Sequence, residues 1–160
     1  MTELKEVISY LVSKYPHKDE LSNARLTKMI YLADWRHAIT QGNQITDIRW
    51  FFDNYGPFVK DVKEEALRHP DLFSISRSSN MFGNSKTLVS GKTINNGLSL
   101  QQSVKAALDH VVSATQDLSW NSFIKLVYGT YPVANSSRYS HLDLVSMAVE
   151  YRKTPFFATA

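Results

Sequence analysis

Residues 26–62, LTKMIYLADWRHAITQGNQITDIRWFFDNYGPFVKDV, decide the fold of this chain. Leu26, Met29, Ile30 and Ala33 recur at helical spacing, and Tyr31, Leu32 and Trp35 cover much of the remaining circumference. A helix apolar nearly all round belongs in the middle of a core. Ser22 suits its N-cap, where a hydroxyl accepts a free backbone N–H, and Gly42 suits the left-handed residue past its end. Beyond Gly42 the period changes. Ile48, Trp50 and Phe52 alternate with Asp47, Arg49, Phe51 and Asp53, the pattern of a strand buried on one face. Tyr55-Gly56-Pro57 then turns the chain. Pro57 is expected at the first position of a further helix, where its missing N–H would have had no partner. Phe58, Val62 and Ala66 line one face of that helix until His69-Pro70.

Working outward, Leu4, Val7, Ile8 and Leu11 predict an amphipathic helix over 2–14 that Pro16 ends. Residues 72–75 and 87–89 read as short strands joined by a polar loop containing Gly83, and are expected to pair with the strand near Ile45. Ser99 and Gln102 form a capping-box pattern before Leu100, Val104, Leu108 and Val111. Ser119 is suited to cap a helix over 120–128, and the loop Gly129-Thr130-Tyr131-Pro132 follows. Ser140 with Asp143 repeats the cap pattern ahead of Leu142, Val145 and Val149 in a last helix. The predicted architecture is α+β and predominantly α-helical, with about six helices around a long central one and a small antiparallel sheet of roughly two to three strands. It forms one domain over 1–153 with a short tail, 154–160.

Composition agrees: 160 residues, 43% hydrophobic and 21% charged, suffice for one domain with a real core. The formal charge of +3 is spread among acids, which only weakly favours anionic partners. The absence of cysteine excludes disulfides, thiol nucleophiles and Cys-based metal sites. Glu3, Lys5 and Glu6 break any signal-peptide pattern, and no segment approaches the ~20 apolar residues of a membrane helix. A cytoplasmic protein with no membrane association is expected.

Few residues suggest chemistry. Asp34 and His37 are three apart on one helix face, a spacing that can join a base to its orienting acid. No third ligand accompanies them, so a chance or helix-surface pairing is expected. His141 with Asp143, and Asp109 beside His110, read as cap or surface residues. No phosphate loop, dinucleotide fingerprint, nucleophile elbow or zinc-protease motif occurs. No catalytic residue, cofactor or metal is therefore assigned. A winged helix whose Arg77, Lys86 and Lys92 contact DNA phosphates is the alternative reading, and nucleic acid is expected as a partner only under it. The aromatics Trp35, Trp50, Phe51, Phe52, Tyr55 and Phe58 exceed what one small core buries around a strand. Phe51 and Tyr55, beside Arg49 and Asp53, are the expected remainder on the surface, where such residues mark partner sites. Phe156 and Phe157 in the tail form a second candidate.

These elements together resemble the Panacea domain of SocA-like antitoxins, a family also labelled phage-associated. The resemblance rests on a helix of the form L-x-K-apolar-apolar-Y-apolar-A, an aromatic strand and a Y-G-P turn. Here Leu26, Lys28, Tyr31 and Ala33 match the helix, His37 sits where the family often has Trp-His, and Tyr55, Gly56 and Pro57 match the turn. The segments from Leu118 to Tyr128 and Thr130 to Pro132 are similar to its C-terminal part. The resemblance implies a bacterial or prophage antitoxin, not an enzyme, that neutralises a cognate toxin protein by binding it. A protease or chaperone is the further partner where the toxin is delivered for degradation.

Overall fold

The computed structural model describes residues 1–79 and 85–155. In chain order, the elements are α1 (Leu4–Lys14), α2 (Asn23–Gln41), β1 (Phe52–Asp53), β2 (Gly56–Pro57), α3 (Asp61–Arg68), β3 (Phe73–Ser79), β4 (Ser85–Gly91), α4 (Gln102–Thr115), α5 (Trp120–Tyr128), α6 (Tyr131–Ala134) and α7 (Leu144–Arg152). Among the described residues these are seven α-helices and two separate two-stranded antiparallel sheets, a mainly helical α+β fold.

Helix α2 is the axis. Ser22 Oγ accepts from the Arg25 N–H at 3.1 Å, and Gly42, with φ +88°, closes the other end in the left-handed region. Every residue from 25 through 35 is buried, polar ones included, so their hydrogen bonds must be found inside. Arg25 Nη2 donates to the carbonyls of Thr115 and Leu118, at the end of α4, and Tyr31 shares a 2.8 Å bond with Thr130. At the far end Arg152 Nη1 donates to the carbonyl of Ile39, in the last turn of the helix, and to that of Ala38, which also accepts from the Gly42 N–H. Helices α4 and α7 pack along α2, and α1 packs against α3 and α4. One cluster of buried side chains runs through all of these, with Trp50 and Tyr31 edge to face at its centre, 5.6 Å between centroids.

Several local expectations are corrected. Pro57 does not begin a helix: Gly56–Pro57 pairs with Phe52–Asp53, and the Phe58 N–H donates to Phe51, which holds the chain extended until α3 starts at Asp61. Phe58 accordingly lies outside the helix whose inner face Val62 and Ala66 form. The β3–β4 hairpin pairs with itself, Ile75 opposite Val89, and not with the segment following Gly42. That segment keeps the expected alternation, with Ile48, Trp50 and Phe52 buried, yet only its last two residues enter a ladder.

Ser99 does not cap α4 because its hydroxyl donates to Glu6; Gln101 stands at the cap position without a side-chain bond. Tyr131 and Pro132 are helical, not loop. Asp143 alone caps α7, accepting from Ser146 N, while Ser140 Oγ turns back to the carbonyl of Ser137. That cap sets the helix so that Leu144 and Ala148 face inward and Val145 and Val149 face outward, the reverse of the expected face.

Candidate partner-binding surface

The helix half of the motif stretch is built into the core. Asp34 Oδ1 accepts from the N–H groups of Ile45 and Thr46 at 2.9 and 3.0 Å, and Oδ2 accepts from Thr46 Oγ1 at 2.6 Å and Trp50 Nε1 at 2.8 Å. One carboxylate thus pins the chain after Gly42 onto α2. Burial pushes its pKa up to about 6, with the four donors pulling the other way. His37, also buried, donates from Nδ1 to the Asn43 carbonyl at 2.7 Å, leaving Nε2 to accept from Ser103 Oγ at 3.0 Å. The two side chains share no partner. Their expected surface pairing is corrected, since both are internal braces with separate tasks. Among the described residues no group of three His, Asp or Glu is placed to hold a metal ion.

Lys28 is the odd member of that helix. It is only 2% exposed, its Nζ lies over the Phe58 ring at 5.5 Å from the centroid, and it forms no ion pair among the described residues. Burial pulls its pKa down to about 8, against the opposing pull of Asp53. Its aliphatic stem runs beneath Gly56, where an added Cβ would sit 3.7 Å from Lys28 Cε and 3.4 Å from Tyr128 Cε2. Those are ordinary contacts, so it is the φ of +101° at Gly56 that disfavours a side chain in this turn. Tyr128 in turn packs edge-on against Phe52.

This rigid turn throws Tyr55 outward, 79% exposed. Upstream, Arg49 is exposed, and Phe51 and Asp53 are half-buried. The structure therefore gathers the four expected partner residues along one outward edge. Phe156 and Phe157 lie outside the described residues.

A second segment lies against this edge. The Phe52 N–H donates to the carbonyl of Ser140 at 2.9 Å, the Tyr139 N–H to Phe52 at 2.6 Å, and the Leu142 N–H to Trp50 at 2.9 Å. An antiparallel bridge places Phe51 opposite His141, whose rings meet edge to face at 5.3 Å. Arg138 Nε donates to the Asn54 carbonyl at 3.2 Å, and the Tyr139 hydroxyl to Asn54 Oδ1. Tyr139 stands 65% exposed with φ +67°. Sequence reasoning passed over Arg138 and Tyr139, which have no periodicity and reach the edge only through tertiary pairing.

The hairpin is less well suited to DNA than expected. Lys86 Nζ donates to the carbonyl of Asp19 at 2.9 Å and Lys92 Nζ to that of Pro70 at 2.7 Å, so two of the three cations are held against backbone, and Arg77 is exposed. A groove of about 810 Å3 between Arg25, Phe58, Lys86 and Trp120 opens at the starts of α2 and α5.

The buried helix, the glycine turn with Lys28 and Tyr128 beside it, and the exposed tyrosine together define a class: a mainly helical module with an aromatic turn displayed at its surface. The profile described as antitoxin SocA-like, Panacea domain, matches residues 26–132, and the chain belongs to that family. No curated protein and no solved structure matches it significantly. Of the residues carrying the family motif, Leu26, Lys28, Tyr31, Ala33 and His37 are buried, as are Gly56 and Pro57, whereas Tyr55 is not.

Proposed function

We propose that this chain, acting as one Panacea-like domain over 1–153, neutralises a cognate bacterial or prophage toxin by direct protein–protein binding. The observation that carries the reading is the display of Tyr55, 79% exposed, on a turn of an antitoxin family whose other motif residues are structural. Arg49, Phe51, Asp53 and Tyr55 form the contact edge. An aromatic anchor amid charged residues is the composition from which interfaces draw most of their affinity. The proposed activity is binding; the internal bonds of Asp34 and His37, the pair with catalytic spacing, support this reading. Action in the cytoplasm belongs to this antitoxin reading; no described helix is long and apolar enough to cross a membrane.

The test is genetic and then biochemical. A reading frame adjacent to this gene should encode a product that arrests growth when expressed alone, and co-expression of this chain should restore growth. Purified, the two should form a stable complex in which the toxin is inactive without any protease. Rescue that needs a protease or chaperone and lowers toxin abundance would assign delivery in place of direct inhibition. Failure to restore growth overturns the reading.

A further inference from the structure

We propose that residues 138–141, which lie beyond the stretch matched to the family, complete the partner surface, and that this surface seats an acid-bearing face of a protein partner. The identity of that partner as the toxin rests on the antitoxin reading above.

Position supports the composite surface. The segment does not merely pass near the Arg49–Tyr55 edge: two backbone hydrogen bonds fasten it to Phe52 and a third joins the next residue, Leu142, to Trp50, His141 meets the Phe51 ring, and the Tyr139 hydroxyl reaches Asn54 beside Tyr55. Two exposed tyrosines and Arg138 thereby come from chain segments more than eighty residues apart in sequence to either side of Asn54. Tyr139 is the one non-glycine residue with positive φ among those described. A bulky residue is uncommon in that conformation and persists only where its surroundings hold it. Here two hydrogen bonds do so, and what they hold is a ring in solvent. A ring fixed in place loses less freedom when a partner covers it.

Charge selects the occupant. Two acids of this edge are engaged by the protein itself: Asp53 Oδ1 accepts from the Asn54 N–H at 2.9 Å, and Asp143 accepts from Ser146 N and Oγ at the start of α7, whereas Asp47 is exposed and lines the same cavity as Arg49. The arginines have no carboxylate partner. Among the described residues Arg49 makes no ion pair or hydrogen bond, and Arg138 donates its Nε to the Asn54 carbonyl and lies over the Phe52 ring, its Cζ 5.9 Å from the centroid. Two guanidinium groups without carboxylates favour a partner that supplies them, by paired N–H donors of fixed geometry. Beside Arg49 and His141 a cavity of about 420 Å3 is lined by Ile48, Leu142 and Val145 together with Asp47 and Asp143, so the partner should present an apolar side chain there and its acid to the arginines.

The test uses the full chain and the product of the adjacent reading frame, with affinity and thermal stability measured on the same variants. Tyr139→Gly removes the ring while fitting the left-handed backbone, so Tm should hold or rise as affinity falls by about tenfold or more. Arg138→Glu should weaken binding at least as much, with Tm unchanged. Affinity of the wild type should fall with rising salt more steeply than that of Arg138→Gln. If the wild type binds and both 138 and 139 variants bind equally well, the composite surface is overturned while the antitoxin reading stands. Equal salt slopes for wild type and Arg138→Gln overturn the acid-bearing occupant. Affinity that falls only together with Tm in both variants overturns a recognition role for the segment. A wild type that binds no such product overturns both readings.

Discussion

Helix α2 and the edge from Arg49 to Tyr55 are neighbours in one sequence motif, but their side chains meet opposite fates. From 25 through 35 the helix leaves nothing to solvent, and even its charged members are internal. Six residues past Arg49, Tyr55 is almost wholly in solvent. The boundary between them is Gly56, with Lys28 and Tyr128 beneath it. The contrast teaches that a family motif can consist mostly of residues that position the few that act. Substitutions in the first region should be read as losses of stability, and in the second as losses of binding at constant stability.

Asp34→Ala should make the largest difference. It leaves the N–H groups of Ile45, Thr46 and Trp50 without their acceptor in a buried site, and unfolding in urea should show a loss of about 4 kcal/mol. A loss no larger than that of a surface substitution would break the comparison at its strongest point.

Lys28 comes next, through pH. Its pKa is about 8 in the folded chain against 10.5 as the ordinary value, so between those limits the unfolded chain binds more protons and stability rises with pH. The gain should be on the order of 2–3 kcal/mol across that window. Lys28→Met should flatten the profile there, as unfolding at a series of pH values would reveal.

Gly56→Ala tests the boundary. The left-handed backbone opposes a Cβ, which would itself make only ordinary contact with Tyr128, and a loss of about 1–2 kcal/mol is expected. Partner affinity should fall with it, since the same turn aims Tyr55. The smallest stability effect belongs to Tyr55→Ala, within about 0.5 kcal/mol of wild type, while complex formation with the toxin weakens markedly. A Tyr55 variant that loses stability and keeps affinity would place this residue with the core instead.

The parts of the fold legible in the sequence are those governed by local chemistry. Ser22, Gly42 and Ser119 act as caps because a hydroxyl or a left-handed glycine solves the helix-end problem wherever it stands. The alternation of Ile48, Trp50 and Phe52 survives although most of that segment has no ladder partner, because burial on one face needs only an extended chain. The errors share a cause as well. Ser99 and Pro57 carry good local signals, but Glu6 takes the hydroxyl of one and the carbonyl of Phe51 holds the chain beside the other. Long-range partners outbid the local preference in both places. Of the candidate site, the outward aromatic edge could be read from its period; Arg138, Tyr139 and His141 could not, since nothing in their own sequence names Phe51 and Asn54 as neighbours.

By itself the sequence determined a mainly helical α+β chain, a central buried helix with its ends, and membership of a family marked by Tyr55-Gly56-Pro57. Those follow from periodicity and from residues with singular backbone behaviour, which operate over a few positions. Only the tertiary structure decided that Asp34 and His37 are braces, that Lys28 is buried with no ion pair among the described residues, and that residues 138–141 lie against the turn. Such outcomes depend on which donor or acceptor arrives from far along the chain, and burial makes each of those meetings count for more than local preference does.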